Sequence, residues 1–171
     1  MKTIIWIFTG AVTTWFCTAI ASRWGSSSHL IPDATVIILT FLAMHREPAQ
    51  LAIVASSLGY LTGRQMLAPF GLNETALVAC AITTYLVAGH LAGSGATFFG
   101  VACGGAVMFY HLLLYLLLLV VRGTAGFDGW PTALLVPNGI VTAAVAWLLY
   151  PGLLRLERTL TPEKTDGLTW R

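Results

Sequence analysis

The stretch ATFFGVACGGAVMFYHLLLYLLLLVV, residues 96–121, contains no Asp, Glu, Lys or Arg and ends in a nearly unbroken run of leucine and valine. An α-helix needs about 20 residues to cross the ~30 Å hydrocarbon core of a bilayer. The stretch exceeds that length without a single charge, so it is predicted to be a transmembrane helix. This prediction decides the class of the protein.

The composition of the whole chain agrees with a lipid environment. Of its 171 residues, 57% are hydrophobic and only 9% are charged, and the mean hydropathy is +0.79. Ordinary soluble domains carry about 25% charged residues, so this chain has too few charges to cover a soluble surface. The net charge of +2 is too small and too dispersed to indicate nucleic-acid binding.

Further apolar runs predict the other helices of a bundle. They cover residues 4–22, 34–44, 49–61, 72–90 and 131 to about 154. The second and third runs are short, so they form either two crossings or one re-entrant hairpin, which leaves six or four crossings. We predict an all-α membrane protein, a six-helix transmembrane bundle over residues 1–154 with short second and third helices. A short charged cytoplasmic tail follows over residues 155–171.

The first run also resembles a secretory signal peptide. Lys2 precedes it, and Ala19-Ile20-Ala21 has the form of a cleavage site. The run is longer than the usual hydrophobic region of a signal. More spans follow it, so an uncleaved first helix is the favoured interpretation.

The positions of Lys and Arg predict the orientation. With six crossings, one side carries six of these residues and the other side carries three. The first set is Lys2, Arg46, Arg155, Arg158, Lys164 and Arg171, and the second is Arg23, Arg64 and Arg122. Basic residues are enriched in cytoplasmic loops, so both termini are expected in the cytoplasm.

Prolines and acidic residues mark the starts of several helices. Pro32 and Pro48 open runs, where the missing N–H group of proline costs nothing. Asp33 and Glu74 are expected in the first turns of their helices, facing the positive end of the helix dipole. For both residues, a role at the start of the helix is favoured over ligand binding.

The turn before the fourth helix contains Pro69, Phe70 and Gly71. Proline and glycine break the helix there, and Asn73 is expected to cap the next one. Phe70 is either an aromatic anchor for a partner or, as we favour, a ring at the headgroup level.

Catalytic and metal-binding patterns are sparse. The three cysteines lie singly in apolar runs, which is typical of packing residues and not of a disulfide framework or a metal site. His111 lies mid-run beside Tyr110; because its own span holds no acid, a neutral hydrogen-bonded ring is favoured over a proton relay. No nucleophile, acid and base converge, so we predict that the chain is not an enzyme and needs no cofactor.

Two glycine pairs have the G-x-x-x-G spacing that lets helices approach closely in lipid. They are Gly59 with Gly63 and Gly100 with Gly104. Each pair serves either packing inside the bundle, which is favoured, or the interface with a partner.

Residues 31–91, IPDATVIILTFLAMHREPAQLAIVASSLGYLTGRQMLAPFGLNETALVACAITTYLVAGHL, resemble the rod shape-determining protein MreD family. The features that carry the resemblance are Pro32-Asp33, Pro48, Gly59 and Pro69-Phe70-Gly71. Residues 148–160, LLYPGLLRLERTL, are similar to the last helix of that family and its basic tail.

The resemblance implies a function and a fold. MreD-like proteins are non-enzymatic inner-membrane components of the bacterial cell-elongation machinery that synthesises peptidoglycan. They bind the bitopic protein MreC and, through it, RodA, a class B penicillin-binding protein and MreB. Their fold is similar to the vitamin-binding S components of energy-coupling-factor transporters.

That likeness supplies an alternative function, an S component that binds a small molecule. S components present an Ala-x-x-x-Ala face on helix one. Here Ala11 is followed four residues later by Trp15, and Ala19 by Arg23. A vitamin also needs several convergent polar groups, so the scaffold is preferred. A proton-coupled carrier would need a carboxylate near the centre of a span, and none is predicted.

Overall fold

The computed structural model describes residues 2–23, 32–65, 71–90, 93, 95–122 and 132–160. Within these ranges the protein has six helices. They are α1 (Lys2–Arg23), α2 (Ala34–His45), α3 (Pro48–Gln65), α4 (Leu72–His90), α5 (Ala96–Arg122) and α6 (Thr132–Leu160). The predicted all-helical fold and its six helices are therefore confirmed, and α4 has the predicted bounds.

Three of the helices have the length and apolar composition needed to cross a bilayer. The segments are Leu72–His90, Ala96–Val121 and Leu135–Thr159. Among the described residues, Thr3–Cys17 and Ala34–His45 form shorter apolar helical segments. The described residues thus contain three candidate spans, which indicates a membrane protein.

Helix α2 is the centre of the bundle, although it is the shortest helix described. It contacts each of the other five helices, and every residue from Thr35 to Ala43 is buried. Its sequence is apolar on all sides, which is typical of a helix enclosed by others. At 12 residues and 1.5 Å per residue it is only about 18 Å long.

Aromatic rings extend the core sideways from α2. Phe41 lies 5.6 Å from Trp6 of α1 and 5.9 Å from Phe99 of α5, measured between ring centroids. Phe99 in turn lies 5.2 Å from Tyr150 of α6. Such tilted and edge-on pairs add favourable electrostatics to the burial of the rings. The rings therefore join four helices through one aromatic cluster.

Helix α6 continues beyond residue 154, where the membrane domain was predicted to end. Residues 155–160 are helical, and Leu156 packs against the core. Glu157 accepts an ion-pair contact of 3.3 Å from Arg46, which follows α2. The first part of the predicted tail is thus fixed to the end of the central helix.

Candidate functional site

Gly59 and Gly63 lie where α3 packs against the first turn of α4. A Cβ atom on Gly59 would be 2.7 Å from the Glu74 Cα atom, and one on Gly63 would be 3.3 Å from the Asn73 Cβ atom. The first distance is too short for any side chain. These glycines therefore bring two helices of the same chain into backbone contact.

Gly100 and Gly104 lie where α5 packs against α6, in the same way as the first glycine pair lies between α3 and α4. A Cβ atom on Gly100 would be 2.9 Å from the Ala143 carbonyl oxygen, and one on Gly104 would be 3.0 Å from the Gly139 carbonyl oxygen. Both predicted glycine pairs face the interior of the bundle. In this structure neither forms an outer surface for a partner.

The predicted turn residues lie at helix starts, with two differences. Pro48 opens α3 and Glu74 lies in the first turn of α4, as expected. Asp33 lies one position before its helix: it is the N-cap of α2 and accepts a 3.2 Å hydrogen bond from the Val36 N–H. Pro32 immediately precedes this cap, while Pro69 and Phe70 lie outside the described residues.

The second difference concerns Asn73, which does not cap α4 but lies inside its first turn. Gly71 lies directly before the first residue of α4 and has a φ of 80°, a left-handed conformation that glycine adopts without strain. Its carbonyl oxygen accepts the Thr75 N–H at 3.0 Å. Because Gly71 is the residue that precedes the helix, Asn73 lies within the first turn and its side chain points into the bundle.

Asn73 joins three helices through its amide. Its Nδ2 donates to the Gly59 carbonyl oxygen at 3.0 Å and to the Thr62 hydroxyl at 2.6 Å, both on α3. Its Oδ1 accepts the Tyr110 hydroxyl of α5. The residue is only 3% exposed. Buried amides need such partners, so Asn73 fixes the relative positions of α3, α4 and α5.

A second polar cluster lies at the start of α2. The Asp33 N–H donates to the Thr142 hydroxyl of α6 at 3.3 Å, and Thr35 shares a 2.9 Å hydroxyl contact with Thr14 of α1. His111 is close enough to Asp33 to interact electrostatically, while its Nδ1 bonds to the Val107 carbonyl oxygen at 2.9 Å. The acidic neighbour of His111 therefore comes from another helix, although its own span holds none.

The chemistry of these two clusters is chiefly structural. Their contacts satisfy hydroxyl, amide and backbone groups that would otherwise be buried without partners. Within the described ranges, no three His, Cys, Asp or Glu side chains are grouped so that they could hold a metal ion. The clusters stabilise the arrangement of the helices.

An open cavity of about 440 Å³, here called the end cavity, lies at the opposite end of the bundle. It is bounded by the last turns of α2 and α4, the start of α5 and the middle of α6. Its lining includes His45, Tyr85, His90, Phe99 and Tyr150. The sequence alone does not bring these two histidines together, because nothing in their spacing shows that α2 and α4 end side by side.

A second depression of about 360 Å³, here called the α4–α5 groove, lies next to the end cavity. Its lining includes Thr84, Ala88, Ala102, Gly105, Ala106 and Phe109. Met44, Ala88 and Phe98 line both spaces. The two spaces are therefore adjacent, and together they are here called the cleft, which is more polar at the helix ends and apolar towards the middle of the helices.

Comparison with known proteins identifies no relative. No protein-family model, no curated protein and no solved structure matches the chain.

Proposed function

We propose that the chain is a non-enzymatic inner-membrane scaffold of the bacterial cell-elongation machinery. Its direct partner would be an MreC-like bitopic protein, through which it would reach RodA, a class B penicillin-binding protein and MreB. The MreD-like features at Pro32-Asp33, Pro48 and Gly59 support this assignment. The structural observation that carries the proposal is the outer face of α1.

The outer face of α1 consists of Ile4, Phe8, Val12 and Phe16, each at least half exposed. The four residues are spaced four apart, so they form one ridge along the helix. Trp6 points the other way and is only 2% exposed. Helix α1 packs on α2 and α3 with that inner side, and its outer side presents a ridge about 18 Å long, a little over three helical turns.

A ridge of this form suits a partner that crosses the membrane once. A single helix buries one stripe of side chains, and helices associate in lipid through close packing. Large rigid rings such as Phe8 and Phe16 give extensive contact area with few rotatable bonds. The packing glycines are already used inside the bundle, so we assign the partner to the exposed ridge of α1.

Co-purification from native membranes tests the proposal. Phe8→Ala and Phe16→Ala should together lower recovery of an MreC-like protein by about tenfold, because truncated interface anchors typically cost 1–2 kcal/mol or more. Ile140→Ala and Leu148→Ala on α6 are matched controls, since these residues are also large, apolar and exposed. Phe70→Ala tests the secondary contact predicted from the sequence.

Two outcomes would contradict the scaffold. If the α1 and α6 variants behave alike, the ridge merely faces lipid. Recovery of a tightly bound vitamin, or of an ATP-binding-cassette module in place of an MreC-like protein, would transfer the assignment to an S component.

The proposed scaffold has six crossings with both termini in the cytoplasm, as the distribution of Lys and Arg favours. In a variant without the three native cysteines, single cysteines at residues 25–28 and near 127 should react with an impermeant reagent added from outside. A cysteine after residue 161 should not react. A cysteine at Arg46 should be protected with six crossings. Labelling of the tail from outside would overturn this topology.

A further inference from the structure

The two histidines of the end cavity have the same local arrangement. The Nδ1 atom of His45 lies 2.9 Å from the Phe41 carbonyl oxygen, and that of His90 lies 2.7 Å from the Leu86 carbonyl oxygen. A carbonyl only accepts hydrogen bonds, so Nδ1 carries the proton in both rings. The Nε2 atoms are the ring nitrogens that remain for a ligand, and each becomes a donor when its ring is protonated.

The end cavity can hold an anion when its imidazoles carry a proton on Nε2, because each ring then donates from that atom. Among the described residues that line it there is no Asp or Glu, while two imidazoles and the tyrosines Tyr85 and Tyr150 supply polar groups. Its wall also includes Gly93 and Gly95, directly before the first turn of α5. That turn contains no acidic residue, so the partial positive charge at the start of the helix adds to the imidazoles.

The α4–α5 groove adds an apolar extension to this polar end. Small residues of α5 form its floor, and a Cβ atom built on Gly105 would have no neighbour within 4 Å. The polar end lies at the last residues of α2 and α4, where a span meets the headgroup layer. The cleft therefore has the polarity profile of an amphiphile standing in one leaflet.

We propose that this cleft binds an anionic phospholipid, with the headgroup in the end cavity and one acyl chain in the α4–α5 groove. Lipid binding goes beyond the scaffold function and does not depend on it. A soluble anion would leave the apolar groove unfilled. A helix docked in the groove would not use the histidines of the end cavity.

Binding of defined lipids to delipidated protein in detergent tests the proposal, with native mass spectrometry as the readout. Phosphatidylglycerol should bind more tightly than phosphatidylcholine with the same chains. Gly105→Leu should weaken binding of both severalfold, because the leucine occupies the space of part of the acyl chain and removes its packing contacts with the groove. Gly152→Leu is the control, since Gly152 also has open space around it but lies on α6 outside the cleft.

The headgroup contact is tested separately. His45→Gln with His90→Gln should reduce the preference for phosphatidylglycerol and leave binding of phosphatidylcholine unchanged. His111→Gln is the control, because His111 also bonds its Nδ1 to a carbonyl four residues earlier and lies outside the cleft. Thermal unfolding of each variant without lipid verifies that the fold is intact.

Three results would overturn the proposal. Equal affinity for both lipids, unaffected by Gly105→Leu, would identify ordinary boundary lipid. Full competition by inorganic phosphate, with no contribution from the chain, would identify a soluble ligand. Cross-linking of a cysteine at Ala102 to a second copy or to another protein in native membranes would identify a protein interface.

Discussion

The contacts that α4 makes with α3 and with α5 differ, although both interfaces are rich in small residues. On the α3 side, Gly59 touches the backbone of Glu74, and Asn73 adds hydrogen bonds across the contact. On the α5 side, Gly105 faces a groove between the two helices. Small residues thus permit two helices to approach closely, and hydrogen bonds between the helices hold the contact in place.

The difference has a direct energetic meaning in lipid. Apolar side chains gain little from leaving hydrocarbon, so helices are held by close packing and by hydrogen bonds. The α3–α4 contact has both. The part of the α4–α5 contact that lines the groove lacks close glycine packing. Its helices are joined there by a weak 3.4 Å bond from the Cys80 thiol to the Ala106 carbonyl oxygen, and Tyr110 connects α5 to Asn73 near the other end. The closed contact should therefore be sensitive to substitution, and the groove should tolerate it.

The largest expected effect comes from Gly59→Leu. The new side chain would meet the Glu74 backbone, which cannot move without separating α3 from α4. We expect a loss of about 3 kcal/mol in the free energy of unfolding, at the upper end of the overpacking range. Unfolding by SDS titration in mixed micelles measures it. Unchanged stability would show that the two backbones are not in contact.

A smaller effect is expected for Asn73→Ala, which leaves the backbones in place and removes the hydrogen bonds. Its amide makes three contacts with other helices. Such bonds average about 0.6 kcal/mol each in membrane proteins, so the loss should be about 2 kcal/mol.

Tyr110→Phe removes one of these bonds and serves as an internal scale, with an expected loss of about 0.6 kcal/mol. Equal losses from the two variants would mean that Asn73 acts only through Tyr110. The same SDS titration measures both.

The positions of the helices could be predicted from the sequence because each rests on local information. Long apolar runs bounded by Pro48, Gly71 or charged residues give their ends directly. Helix α4 therefore starts and ends as predicted.

The contacts between helices could not be predicted in the same way. Asn73 follows a proline and a glycine, a pattern typical of a cap, but Gly71 starts the helix and the amide turns to Gly59. His111 has no acid in its own helix, yet Asp33 reaches it from α2. Gly10 has no second glycine four residues away in the sequence, yet it packs closely on the Leu58 side chain. Each contact depends on how the helices are rotated and placed, which periodicity in one helix leaves open.

The adjacent residues Gly104 and Gly105 provide the smallest and most specific test. Successive residues of a helix differ by about 100° around its axis, so Gly104 faces α6 while Gly105 faces the groove.

A leucine at either position has the same helix propensity, worth up to about 1 kcal/mol over glycine. Gly105→Leu should therefore leave the free energy of unfolding unchanged or raise it by no more than that amount. Gly104→Leu should lower it, because its Cβ would be 3.0 Å from the Gly139 carbonyl oxygen. The change in helix propensity is the same in both variants. The difference between their free energies of unfolding, measured by SDS titration, therefore reports the effect of packing alone. If Gly105→Leu is as damaging as Gly104→Leu, the groove is closed in the folded protein and no acyl chain can enter it.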